Sequence, residues 1–471
     1  MTAFKTAAAA VAISVLAACG GGGGGSGGPQ GTGGGPAQET GRQIELTGRQ
    51  SNVAYGPSAT RTLDYLKVFA NCRDRCPDHD ELTGSRDGLG VFIDYNPDDG
   101  RPPTSVTPTL RMAQETNPEQ RALVRHAVSL INNVLPYERH IRIGQDAGNL
   151  TPLNDIPGGQ IFVDFAPRQD WITDYDGDAL GLAQSRYWCV NNDCGDEDNE
   201  IIGRYSARIW MLDDPDREYP VRGNPNAYKN TQLFTMAHEI LHTLALGGHV
   251  DHAEYPGSLL GVSQGDDGEW YGVPVERRDI TQLGPIDIAA MIAARKLYER
   301  NWDDLFRLGR ALLAADITPE NLGEWNSRAV QIEDSQYGMT YGIRHYHDVA
   351  IPYASGTPAT APLDRSIRSG SATWNGGLLG FDAQFQSVQG DAAITVDIAD
   401  MNGTAAFTDI VYRNSGNSWG RDLDYAITVG GNFLYSDDGA VNGRFYGSAH
   451  EGVAGTVERA DLTAAFGARQ R

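Results

Sequence analysis

Basic side chains are scarce in this sequence. Its 471 residues include 38 lysines and arginines against 61 aspartates and glutamates, which gives a net charge of −23. Such a chain repels nucleic acid and anionic membrane surfaces, so neither is an expected partner. The hydrophobic fraction of 40% is ordinary and permits folded cores. A chain of this length predicts two folded units plus tails.

The apolar stretch at the N-terminus is too short to anchor the chain by crossing a bilayer. The segment TAAAAVAISVLAA follows Lys5 and has the length of a signal-peptide core. It runs into LAAC and then glycine, which resembles a bacterial lipobox. Residues 1–19 are therefore predicted to be a lipoprotein signal peptide, cut before Cys19, with Cys19 lipidated. Plain secretion with a free cysteine is the alternative.

Glycine dominates the residues that follow the lipobox. The run GGGGGSGGPQGTGGGP cannot fold, and residues 20–45 are predicted to be a flexible tether. A lipid followed by a tether predicts membrane attachment through the N-terminus, in the outer membrane or at the cell surface of a Gram-negative bacterium. Periplasmic and surface-exposed orientations both stay open.

Cysteine is rare, with five in the whole chain. Lipidation of Cys19 leaves four in an oxidising compartment, where cysteines pair. They fall into two close pairs, so the simplest connectivity is Cys72–Cys76 and Cys189–Cys194. A zinc knuckle is less favoured, because the pairs lack the C-x₂-C spacing.

Two acidic segments are candidates for calcium, DYDGDALG at 174–181 and DCGDEDNE at 193–200. Closely spaced carboxylates suit this hard cation. Neither segment has the full pattern of a calcium loop, so solvated acidic loops are the favoured interpretation.

The hydrophobic pattern changes along the chain. Within 46–350, helical and strand-like patterns alternate, and after a Pro- and Ala-rich linker at 351–364 the pattern becomes the period-two alternation of strands. The residues 365–471 predict a small all-β barrel or sandwich. In the first region, helices are expected at 117–135, 230–246 and 285–315, and strands at 139–144, 159–166 and 207–212.

The segment TMAHEILHTLALGGHVDH at 235–252 carries the chemistry. His238 and His242 are four residues apart on a predicted helix, so both imidazoles project from one face and can bind one zinc ion. Glu239 can act as general base toward a zinc-activated water, and these parts together hydrolyse peptide bonds. A third ligand is needed from beyond the helix. His249 is preferred, with Asp251 and then His252 as alternatives.

Residues 160–250 resemble the metzincin-type zinc metallopeptidases, nearest the matrixin and serralysin branches. The resemblance rests on IFVDFAP, LGLAQ (180–184), ARIWML as the edge strand, and the H-E-x-x-H helix. It implies an α+β zincin-like catalytic domain, a mixed twisted sheet plus the active-site helix. The family signature H-E-x-x-H-x-x-G-x-x-H is altered, because His249 comes one place late. Glycines at 247 and 248 would permit the turn that returns the chain to the metal.

The methionine turn of that family is also altered. EYPGSLLG at 254–261 resembles it, with Leu260 at the methionine position as an apolar substitute. Met339 and Tyr341 in GMTYG form the other candidate, for which an ordinary loop is the favoured interpretation.

The C-terminal region resembles the β-barrel domain of transferrin-binding-protein-B-like lipoproteins. The match is carried by FYG (445–447), EGVAG (451–455), FGARQR (466–471) and TWNGGLLGFD (373–382). It implies an eight-stranded, lipocalin-like barrel but no particular ligand, since fold does not fix function. Four aromatic residues and one histidine there are expected to be core and loop residues rather than ligand contacts, namely Trp374, Phe381, Phe445, Tyr446 and, in a loop, His450.

The leading hypothesis is a membrane-anchored, extracytoplasmic zinc endopeptidase with one catalytic Zn²⁺ and a protein or peptide substrate. The alternative is a non-catalytic surface lipoprotein that binds a host or iron-carrier protein through its barrel. Haem or iron capture by the barrel is a third hypothesis, by family analogy alone. The sequence leaves open whether residues 37–110 include a propeptide.

Overall fold

A mixed β-sheet with helices packed against it forms the first part of the computed structural model. All the described residues lie in one compact unit, Leu46–Arg471. They are residues 59–71, 92–94, 104–135, 140–148, 156–167, 170, 180–189, 201–213, 227–244, 249–255, 257–262, 283–299, 327–334, 339–346, 349–359, 362–363 and 370–470.

The sheet is mostly parallel and has the order β2-β1-β7-β5-β3-β4, with β6 paired to β7. Strands β1, β3, β4, β5 and β7 are parallel, whereas β6 runs antiparallel to β7 and β2 runs antiparallel to β1. Strand β5 is buried along its central residues, as expected for a parallel strand covered on both faces. The strands are β1 Phe92–Asp94, β2 Thr104–Val106, β3 Thr109–Met112, β4 Arg142–Ile143, β5 Gln160–Ala166, β6 Gly181–Cys189 and β7 Ile201–Leu212.

Four helices accompany this sheet. They are α1 Ala59–Asn71, α2 Pro118–Asn132, α3 Ala227–Thr243 and α4 Pro285–Glu299. Helix α2 begins at a capping box, in which Asn117 and Gln120 satisfy each other's backbone N–H groups, with proline at its start. Helix α3 is buried nearly all round from Leu233 onward, which is typical of a helix enclosed by other layers. The helical patterns of the sequence therefore predicted α2, α3 and the start of the 285–315 segment.

A three-stranded antiparallel sheet follows, formed by β10 Ser327–Asp334, β11 Met339–Tyr346 and β12 Val349–Gly356. It corrects two expectations. The GMTYG segment enters β11 instead of forming a loop, and the predicted linker at 351–364 begins inside β12. The physical reason is packing: the ring of Tyr341 lies where a side chain at Gly467 would be, against the outside of the barrel.

The C-terminal region is a closed, eight-stranded antiparallel barrel, as predicted. Strand β13 pairs with both β14 and β20, which closes the sheet. Its interior is filled by apolar side chains that include Trp374, Phe407, Phe445 and Phe466. The strands are β13 Ser371–Asp382, β14 Ser387–Asp397, β15 Asn402–Tyr412, β16 Leu423–Gly430, β17 Phe433–Ser436, β18 Val441–Tyr446, β19 Gly452–Glu458 and β20 Leu462–Gln470.

His450 lies in the loop after β18, as predicted, and it is buried there. Its carbonyl accepts a hydrogen bond from the Trp374 indole at 2.7 Å, and its Nε2 lies 3.0 Å from Asn432 Oδ1. These bonds tie the loop after β18 to the barrel core. Trp374, Phe445 and Tyr446 are buried, and Phe381 packs partly buried against the barrel, so the prediction of core aromatics is confirmed.

The barrel and the mixed sheet share one core instead of standing apart as two units. Phe433 and Tyr435 of β17 belong to the same buried cluster as α2. Ser129 of α2 lies 3.3 Å from Thr456 of the barrel, hydroxyl to hydroxyl. The barrel therefore packs closely against α2. Among the described residues, no helix combines the length and apolarity needed to cross a bilayer.

Gly430 offers a test of this shared core. A Cβ at Gly430 would lie 2.5 Å from Pro118 O and 2.8 Å from Ala122 Cβ, both on α2. We expect Gly430→Ala to lower the free energy of unfolding by about 1–3 kcal/mol, because α2 must shift away. The measurement is chemical denaturation of the full chain.

Gly377→Ala is the matched control, since its Cβ would meet its nearest neighbours at 3.5 Å, an ordinary contact. Its cost should stay within about 0.5 kcal/mol. Equal stability losses in the two variants would contradict the shared core.

Candidate metal centre

Three imidazoles converge at the C-terminal end of α3. His238 Nε2 lies 2.9 Å from His242 Nε2 and 3.2 Å from His249 Nε2. The ligand atoms of the three residues all lie within 4.8 Å of one another. A tetrahedral zinc ion with Zn–N distances of about 2.0–2.1 Å holds its nitrogen ligands about 3.3 Å apart. The donor set and its spacing therefore fit zinc.

His238 is oriented by the backbone. Its Nδ1 donates a hydrogen bond to Leu259 O at 2.6 Å, which leaves the Nε2 lone pair directed at the other two rings. Burial lowers the pKa of His238 to about 3, with His249 as a second cause, and burial lowers the pKa of His249 to about 4. Both rings are neutral at pH 7, the form that binds a metal ion.

Glu239 lies on the same helix, against the start of β6. The backbone N–H of Ala183 donates to its carboxylate. A Cβ at Gly181 would come within 2.8 Å of Glu239 Cγ, so glycine at this position leaves room for the glutamate side chain. Burial raises the pKa of Glu239 to about 8, although the Ala183 bond opposes the shift. A carboxyl group with a pKa near neutrality can both accept and return a proton.

The competitors for the third position lie outside the cluster. Asp251 accepts a hydrogen bond from the backbone N–H of Ala253 at 2.9 Å, and its Oδ1 lies 3.8 Å from His252 Nδ1. Neither Asp251 nor His252 is part of the group that the three histidines form. Of the three candidates, the structure thus brings only His249 to His238 and His242.

A short parallel pair fixes the chain immediately after His249. Strand β8, Val250–Asp251, pairs with β9, Gly261–Val262, and Val250 N donates to Leu260 O at 3.0 Å. Leu260, at the expected methionine position, is fully buried beside Leu259. Met339, the other candidate, packs against the barrel in β11.

The sequence suggested ARIWML as the edge strand. In the structure the edge strand is β6 instead. ARIWML lies in β7, which pairs with β5 on one side and β6 on the other. Sequence reasoning also missed the roles of Gly181, Ala183 and Leu259, because they act through backbone atoms or a missing side chain. The only available signal was the position of LGLAQ between two predicted strands.

Several predicted sites lie outside the described residues. These are Cys19, Cys72, Cys76 and Cys194, most of the acidic segment at 174–181, and all of that at 193–200. Cys189 ends β6, but its side chain is not among those described. The lipid, the two disulfides and calcium therefore stay predictions.

Comparison with known proteins returned no matching family model and no matching curated protein. Solved structures with partial similarity include transferrin-binding protein B from serogroup B Neisseria meningitidis, at 14% identity and a TM-score of 0.24, over 32% of this chain and 34% of that one. A structure named only as a surface lipoprotein has 15% identity and a TM-score of 0.22, over 30% and 79%. The N-lobe of lactoferrin-binding protein B of Moraxella bovis has 13% identity and a TM-score of 0.21, over 34% and 85%.

The similar region spans about a third of the neisserial protein. At these TM-scores the likeness carries no argument about what this chain binds. The eight-stranded barrel is present in the structure itself.

Proposed function

We propose that the protein is a zinc-dependent endopeptidase, anchored to a membrane through Cys19 and facing away from the cytoplasm. The convergence of the His238, His242 and His249 nitrogens beside a buried Glu239 carries the proposal. In this proposal the mixed sheet and α3 form a zincin-like catalytic domain. Zinc in such a site supplies Lewis-acid chemistry, which polarises a carbonyl and acidifies water.

Glu239 performs the proton transfers. It accepts the proton of the attacking water as the C–O bond forms, and it delivers a proton to the leaving amine as the peptide C–N bond breaks. The bond from the Ala183 N–H holds the carboxylate toward β6, and the space at Gly181 lets it lie there. No proton is gained or lost over the cycle apart from the ionisation of the products.

The strand β6 supports a peptide as substrate. It pairs with β7 along one edge, and no other described strand pairs with its opposite edge. An extended peptide can add to a free strand edge through backbone hydrogen bonds. Because β6 begins at Gly181, next to Glu239, a peptide bound there passes the general base.

Glu239→Gln tests the mechanism. Glutamine keeps the size of the side chain but cannot accept the proton, so we expect kcat to fall by about 10²- to 10⁴-fold. Zinc content and unfolding temperature should not change. The measurement is cleavage of casein by the full chain, with the exposed Glu115→Gln as matched control. Wild-type cleavage by Glu239→Gln would exclude Glu239 as the base.

His249→Ala tests the ligand set. Loss of one of three ligands should weaken zinc binding by at least about 100-fold. Removal of a group that only hydrogen-bonds to a ligand costs less. His252→Ala, three residues away and outside the cluster, should leave the affinity unchanged. Competition with a chromophoric chelator measures both. The opposite order of effects would identify His252 as the ligand.

A second candidate function is binding of a host or iron-carrier protein by the barrel. The specific observation is Phe385 in the loop between β13 and β14, an exposed large apolar side chain at 43% relative exposure. Its φ of +60° is unfavourable for a non-glycine residue, and Asp382 Oδ1 holds the loop by accepting from Gln384 N and Gln386 N. The names of the structural neighbours include transferrin and lactoferrin binding, but the candidate rests on this loop.

Binding of iron-loaded transferrin to the full chain tests the second candidate. We expect Phe385→Ser to weaken the complex by at least about tenfold, as loss of an interface aromatic does. Glu239→Gln should bind as tightly as wild type, which separates binding from proteolysis. Biosensor titration measures both, and a full chain without affinity for transferrin or lactoferrin would exclude these partners.

A further inference from the structure

A buried carboxylate lies behind the metal centre. Asp287, near the start of α4, is inaccessible to solvent and accepts four hydrogen bonds. Its Oδ1 accepts from Tyr65 Oη at 2.6 Å and from Ser258 Oγ at 2.8 Å. Its Oδ2 accepts from Leu259 N at 2.8 Å and from Gly284 N at 3.2 Å. Four donors use the full accepting capacity of a carboxylate.

The network ends on a metal ligand. The Leu259 N–H donates to Asp287, and the Leu259 carbonyl accepts a hydrogen bond from His238 Nδ1. Ser258 Oγ also accepts from Leu260 N at 3.0 Å, and the Leu260 carbonyl holds Val250, next to His249. The segment 258–260 therefore sets the positions of two of the three imidazoles.

Tyr65 brings the distant helix α1 into this network. Tyr65 is 222 residues away from Asp287 in the sequence, and its side chain is fully buried. Its ring packs edge-on against Tyr255 at 5.1 Å, and Arg61 lies over the Tyr255 ring at 4.8 Å. Leu63 and Leu66 on the same helix belong to the core that contains α3.

We propose that Tyr65 and Asp287 are positioning residues of the metal centre, and that α1 is a permanent part of the catalytic unit and not a removable propeptide. The hydroxyl of Tyr65 fixes Asp287, Asp287 fixes Leu259, and the Leu259 carbonyl fixes the tautomer and angle of His238. The catalytic consequence rests on the proposed endopeptidase function, but the effect on His238 does not.

Tyr65→Phe removes one hydroxyl and leaves the ring in place. Nitrogen-15 NMR of the metal-free full chain reports the His238 tautomer. We expect wild type to hold the proton on Nδ1 in slow exchange, and Tyr65→Phe to show a mixed tautomer with faster exchange. Zinc affinity and kcat should each fall by about tenfold, with KM unchanged. This is the lower end of the range for loss of a group that orients a metal ligand through hydrogen bonds.

Tyr341→Phe is the matched control, because it removes a hydroxyl from an equally buried tyrosine at the barrel. It should leave tautomer, affinity and kcat at their wild-type values, even if stability falls. Ser258→Ala is the second variant, should Tyr65→Phe not fold. It removes a donor to Asp287 and the acceptor for Leu260 N, and should shift the tautomer in the same direction.

Two results would overturn the inference. One is a wild-type His238 tautomer and exchange rate in the folded Tyr65→Phe or Ser258→Ala protein. The other is a fully active species whose N-terminus, by mass spectrometry, lies after Asn71. A wild-type protein that neither binds zinc nor cleaves peptides would refute the proposed function alone, since the tautomer measurement needs neither.

Discussion

The hydrogen bond between His238 Nδ1 and the Leu259 carbonyl is the interaction on which the site depends. Helix geometry alone places His238 and His242 on one face, but it leaves the rotation of each ring free. The 2.6 Å bond removes that freedom for His238. The same short segment pairs with β8 and thereby places His249. The segment that follows Ser258 thus positions His238 and His249, so that their nitrogens converge with that of His242.

Burial gives the groups of this site their protonation states. Loss of solvent lowers the pKa values of His238 and His249 and raises that of Glu239. It also raises the pKa of Asp287, while the bonds from Tyr65, Leu259, Ser258 and Gly284 oppose the rise. Uncharged imidazoles can bind a cation. A glutamate whose pKa lies near neutral pH can exchange a proton. The apolar core around α3 therefore sets the protonation states of these side chains in addition to stabilising the fold.

The fold was predictable where the determining signals are local. The capping box at Asn117 and the helical spacing after it define α2, and the period-two pattern of residues 365–471 defines the barrel strands. The His238–His242 pair follows from a four-residue spacing on a helix. The signals for α2 and for the histidine pair each lie within roughly 20 consecutive residues, and the barrel pattern is local within each of its strands.

The remaining features depend on contacts between residues far apart in sequence. GMTYG was assigned to a loop because nothing nearby shows that Gly467, over a hundred residues later, leaves space for the Tyr341 ring. Because Gly467 has no side chain, nothing in the sequence around it indicates that an aromatic ring packs there. The edge strand was misassigned for a similar reason. Nothing within ARIWML itself shows that β7 pairs with β5 on one side and with β6 on the other.

The link between Tyr65 and Asp287 shows the same limit at the site itself. In sequence, Tyr65 is one aromatic residue on an amphipathic helix, and Asp287 is one acidic residue in the first turn of another. Either position would suit an ordinary surface or core residue. Only when α1 lies against α4 does the buried carboxylate gain the phenol as its fourth donor. The H-E-x-x-H motif indicates which side chains can bind a metal, whereas contacts with the rest of the chain decide whether their nitrogen atoms converge.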